Sequence, residues 1–84
     1  MLSDYDAGVA PVTSRLGSHV SELTSREREV AQLATRGLSN RRIGETLVIA
    51  EKTAANHLQS ALDKLDVHSR SELAARAVEL GLLP

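Results

Sequence analysis

Cysteine is absent from the 84-residue chain, which excludes a disulfide scaffold and a thiolate zinc site. Aromatic residues are nearly absent as well, with one Tyr, no Phe and no Trp. The core must therefore be aliphatic, and recognition of single-stranded nucleic acid by base stacking lacks its aromatic platforms. No apolar run approaches the roughly 20 residues of a membrane span, and no signal peptide is recognisable. The expectation is a soluble cytoplasmic protein with no membrane partner. Its three histidines, His19, His57 and His68, show no metal spacing. There is no Gly-rich phosphate loop, and no nucleophile–base constellation can be drawn. No catalytic residue, metal, cofactor or small-molecule ligand is therefore expected, and an enzyme is rejected.

What remains is an aliphatic chain with few helix breakers. It has five Gly and two Pro against 42% apolar residues, a balance that favours an all-α domain. Its length allows one domain, near the lower limit for unaided folding. Net charge is −1, which argues mildly against nucleic acid, but the distribution is uneven. Between Arg36 and Lys64 there are five cations (Arg36, Arg41, Arg42, Lys52, Lys64) against three acids (Glu45, Glu51, Asp63).

Residues 1–20 show no sustained period and contain Gly8, Pro11 and Gly17, so they read as a flexible tail or linker before a domain at 21–84. From Leu23 the signals sharpen. Thr24 and Glu27 form a capping box that opens a helix carrying Val30, Leu33 and Ala34, and Gly37 is placed to end it. Ser39 caps a short second helix with Ile43 and Leu47 on one face. "VIA" follows as a turn without Gly or Pro. The third helix should run from about Glu51 to Asp66, with Ala54, Leu58, Ala61, Leu62 and Leu65 in one stripe. Ser69 to Glu72 make a second capping box for a fourth helix, striped by Leu73, Ala77 and Leu80 and ended by Gly81. Such short amphipathic elements can bury their stripes only against one another, as a compact four-helix bundle.

A short helix, a tight turn and a longer helix with a polar outer face are the parts of a helix-turn-helix. The outer face of the third helix has suitable chemistry. Asn56 and Gln59 can each bond adenine bidentately, and Lys52 can reach guanine or a phosphate. Thr53 and the first-turn amides can meet a phosphate at the helix N-terminus. Asn40, Arg41 and Arg42, in the first turn of the preceding helix, would flank the same backbone. Asp63 lies two turns beyond Asn56, about 10 Å along the axis, where an obliquely inserted helix should be leaving the groove. Each feature also has an ordinary meaning. Polar residues on the outer face of a soluble helix are mostly just solvated, His57 sits at the edge of the stripe, and Arg41–Arg42 can be a solvated pair.

The stretch from about Leu23 to Leu83 resembles the LuxR/FixJ-type helix-turn-helix, the output domain of many bacterial transcription regulators. "LTSREREV", "GLSNRRI", "EKTAANH" and "KLDVHSRSELAARA" carry the resemblance, in order and with family spacing. It implies a recognition helix at about 51–66 that reads double-stranded DNA in the major groove. Lys52, Ala55, Asn56 and Gln59 then stand at base-contacting positions, and Thr53 and His57 at positions beside the backbone. The fourth helix often supplies a dimer contact in this family. Ala74, Ala75 and Val78 form a small-residue strip suited to a homodimer, or else complete the core. The resemblance also implies a module at the C-terminus of a longer chain.

Four positions depart from the family pattern. Ala55 stands where Lys is frequent, and Ala54 where Val is usual. Ala50 replaces a Ser or Thr cap, a loss of about 1 kcal/mol. Gly44 replaces a common Ala inside a helix, costing roughly 0.5–1 kcal/mol. The result is a cation-poor recognition helix, expected to bind weakly alone and to depend on dimerisation or a partner domain. A second reading keeps the fold for dimerisation or protein interaction, with DNA binding weak or lost.

Overall fold

The computed structural model describes residues 20–83. Four α-helices lie wholly within the described residues: α1 (Ser25–Thr35), α2 (Asn40–Leu47), α3 (Glu51–Leu65) and α4 (Arg70–Ala75). No strand occurs among the described residues. The central helix is α3, which packs against both α1 and α2, while α4 lies on α1. The α3 stripe is buried as its period predicts, with Ala54, Leu58, Ala61, Leu62 and Leu65 all facing inward. Val30, Ile43, Leu73 and Leu80 meet it from the other elements. Burying each such large aliphatic side chain stabilises the fold by roughly 1.5–3 kcal/mol relative to leaving it in water.

Residues 1–19 of the expected tail lie outside the described residues. The twentieth, Val20, is buried within the same core.

The helix ends explain why the elements stop where they do. Thr24 Oγ1 accepts from the Glu27 amide at 3.1 Å, and Glu27 Oε1 accepts from the Thr24 amide at 3.0 Å, completing the capping box. At the far end of α1 Gly37 adopts φ 91°. The Leu38 amide then reaches the Leu33 carbonyl and the Gly37 amide that of Ala34, the paired bonds of a Schellman motif. Ser39 Oγ caps α2 through the Arg42 amide.

The second capping box is only half made. Ser69 Oγ accepts from the Glu72 amide, but the Glu72 carboxylate returns to the His68 amide, one residue upstream of the cap. That bond, more than any other cause, holds the Glu72 carboxyl below its ordinary pKa. Regular α-helix ends at Ala75 rather than near Gly81. Hydrogen-bonded turns continue the path, with Leu80 bonded back to Arg76, until Gly81 at φ 84° ends it.

Candidate nucleic-acid interface

The turn between α2 and α3 is tighter than its sequence suggests. Val48 takes the left-handed conformation at φ 59° and ψ 49°, a region that β-branched residues avoid. Its amide and that of Ile49 both bond the Gly44 carbonyl. Gly44 is what permits this approach: a Cβ there would stand 2.7 Å from the Ile49 carbonyl oxygen and 3.3 Å from the Glu51 nitrogen. The glycine is therefore more than a weak helix former in place of Ala. It is the point where α2 meets the turn, and an added methyl would have to displace backbone.

At the start of α3, Ala50 has the extended backbone of an N-cap but no side chain to bond the first-turn amides. The positive end of the helix dipole is left without a side-chain cap, next to the exposed Glu51, Lys52 and Thr53. Asn56 and Gln59 are exposed on the same helix, while Ala55 and His57 are half-buried. Lys52, Thr53, Asn56 and His57 make no side-chain bond to any described residue. Gln59 does make one: its Nε2 donates to Asp63 Oδ1 at 3.0 Å.

The flanking cations are less free. Arg41 and Arg42 are exposed, yet both lean on the Glu45 carboxylate, at 3.4 Å and 3.5 Å. Such exposed pairs are weak and readily exchanged for a phosphate. Asn40 is more committed, because its Oδ1 accepts a hydrogen bond from Arg70 Nη2. Arg70 Nη1 donates to the Leu38 carbonyl as well, at 2.8 Å, so one guanidinium locks the start of α4 to the start of α2.

Lys64, counted above among the cations around α3, serves the fold instead. Its Nζ lies 2.8 Å from Glu27 Oε1 and 3.3 Å from the Glu22 carbonyl, tying α3 to the beginning of α1. Glu27 is the one charged residue buried among those described. The Lys64 hydrogen bond and the Thr24 amide hold its carboxyl below the ordinary glutamate pKa, against the opposing effect of burial. Neither this clamp nor the Arg70–Asn40 bond has a local sequence signal, since their partners are 37 and 30 residues apart.

The candidate dimer strip stands clear of the core. Ala74, Ala75 and Val78 are exposed, Val78 by 66% of its surface, so they do not complete the packing. No group of three His, Cys, Asp or Glu side chains able to hold a metal occurs among the described residues. No described helix is long and apolar enough to cross a membrane.

The architecture is thus a helix-turn-helix, α2–turn–α3, seated on α1 and closed by α4. Residues 21–77 match the model of the luxR family of bacterial regulatory proteins, and the chain belongs to that family. This makes it a regulatory module rather than an enzyme. It is 42% identical over 76 residues to the transcriptional regulatory protein DegU of Brevibacillus brevis, covering 90% of this chain and 31% of that protein. The spore germination protein GerE of Bacillus subtilis is 39% identical over 61 residues, covering 73% of this chain and 82% of GerE. The DNA-binding transcriptional activator DevR/DosR of Mycobacterium tuberculosis is 38% identical over 61 residues, 73% of this chain and 28% of that protein. The chain spans about a third of DegU and less than a third of DevR/DosR.

Proposed function

We propose that this chain binds double-stranded DNA with sequence preference, as the DNA-reading part of a bacterial transcription regulator. The N-terminal half of α3 enters the major groove. Lys52, Ala55, Asn56 and Gln59 face the base edges, and Asn40, Arg41, Arg42, Thr53 and His57 lie along the backbone. The observation that carries this reading is the state of that half-helix: packed on one side, polar on the other with Lys52, Thr53, Asn56 and His57 bonded to no described side chain or backbone group, and lacking a side-chain cap at its N-terminus. An anionic backbone supplies the missing partner. DevR/DosR, described as a DNA-binding activator, supports the same reading.

A homodimer through Ala74, Ala75 and Val78 is part of the proposal, supported by the exposure of the strip. So are a cytoplasmic location and, from the family resemblance, a place at the C-terminus of a longer regulator. The alternative, an interaction module with weak DNA binding, draws on one observation: Glu45 and Glu51 stand among the cations of this face.

Mobility shifts on random duplex across a salt series separate the two readings. Phosphate-driven binding should appear at low salt, and Lys52→Ala should flatten the salt dependence by about one phosphate's worth. Ala55→Lys should raise affinity for every sequence. No retardation at low salt, with no gain from Ala55→Lys, would leave the interaction module.

A further inference from the structure

We propose that Asp63 sets the base preference of Gln59 by fixing which end of its amide faces the duplex. The proposal rests on the groove reading above. Gln59 Nε2 donates to Asp63 Oδ1 at 3.0 Å along the exposed face of α3. An ionised carboxylate can only accept hydrogen bonds, so the amide nitrogen must be the end turned toward Asp63. Asp63 follows Gln59 by one turn, so the carbonyl oxygen is turned away from it, on the side of the half-helix that enters the groove. In free protein both side chains are exposed, where water competes for such a bond. Docking displaces water from around Gln59, and at the groove's edge a carboxylate stripped of its donor would face phosphates alone. The pair is then held together.

A side chain that presents an acceptor to the major groove selects bases carrying an exocyclic amine there, adenine at N6 or cytosine at N4. Guanine O6 and thymine O4 would oppose its lone pairs. A glutamine without Asp63 can turn its amide over and accept either class. Asp63 is thus a positioning residue for specificity, which gives an acid a role on a face that approaches phosphates.

The test is selection of binding sites from a randomised duplex library. It uses the wild-type chain, Asp63→Ala, Asp63→Asn, Gln59→Ala and Asn56→Ala at one salt concentration. At the base pair whose preference Gln59→Ala erases, the wild type should favour adenine or cytosine over guanine by roughly tenfold. Asp63→Ala should reduce this to less than about threefold while raising binding to all sequences. Asp63→Asn, equal in size and able to donate or accept, should relax the preference in the same way. A uniform gain in affinity with the preference intact overturns the proposal, because Asp63 would then act only as a repelling charge. If Asn56→Ala shifts the selection and Gln59→Ala shifts nothing, the proposal fails and the groove reading stands. If the wild type selects no sequence and Asn56→Ala changes nothing, both fail.

Discussion

At its C-terminal end α3 is bonded to the rest of the molecule: Lys64 holds Glu27 across to α1, and Leu65 is fully buried. The helix closes there with Asp66 left-handed and the Val67 amide on the Leu62 carbonyl. At its N-terminal end the same helix has no side-chain cap, follows a strained valine turn, and shows Lys52 and Asn56 without partners among the described residues. One helix therefore carries an anchoring half and an under-bonded half. The contrast teaches where a small domain keeps its stability and where it keeps its unspent hydrogen-bonding capacity. Strain and missing caps gather at the end proposed to meet DNA, as expected where a partner completes the structure.

Breaking the anchored half should have the largest effect. Lys64→Met leaves the Glu27 carboxylate buried without its cation and should destabilise the domain by about 2 kcal/mol, less than for a fully buried pair because Lys64 is partly exposed. Urea denaturation measures this, and adding Glu27→Gln should recover part of the loss. An unchanged midpoint for Lys64→Met would show that the clamp is no anchor.

Repairing the under-bonded half should act in the opposite direction and by less. Ala50→Ser supplies the absent cap on an extended backbone already suited to it, a gain of about 1 kcal/mol. Val48→Asn places a residue tolerant of the left-handed region at φ 59°, for a gain of roughly 1 kcal/mol. Both should raise the thermal midpoint. If neither does, the N-terminal half is not the strained one.

The smallest effect is one of pH. The folded Glu27 carboxyl lies below its ordinary value, so the unfolded chain binds the extra proton first. Its stabilisation is fully present above the usual glutamate range, near pH ~4.3, and is lost as pH falls through the lower folded value. Unfolding free energies measured between neutral and acid pH should show a shallower acid loss in Glu27→Gln than in the wild type. Equal slopes would remove Glu27 from the anchor.

The helices were legible because their signals are local and periodic. The α3 stripe, the Thr24–Glu27 box and the Gly37 stop each lie within a few residues of chain. The Val48 turn was hidden, since nothing in "VIA" announces a left-handed valine and the cause sits in Gly44, a turn earlier. The half-made cap at Ser69 was also missed, because Glu72 can reach either of two adjacent amides and only packing decides. Of the candidate site, the outward polar set of α3 was readable from period. The side-chain commitments of Asn40, Gln59 and Lys64 were not, for two depend on distant partners and one on a rotamer.

The division of α3 into two halves is tested most directly by titrating an isotope-labelled chain with duplex DNA and following every backbone amide by nuclear magnetic resonance. Amides of residues 40–42 and 50–59 should shift first and furthest, while those around Lys64, Leu65 and Val67 stay near their free positions. Shifts concentrated on α4 or on the anchored half, with the start of α3 silent, would contradict the assignment of the DNA-reading face.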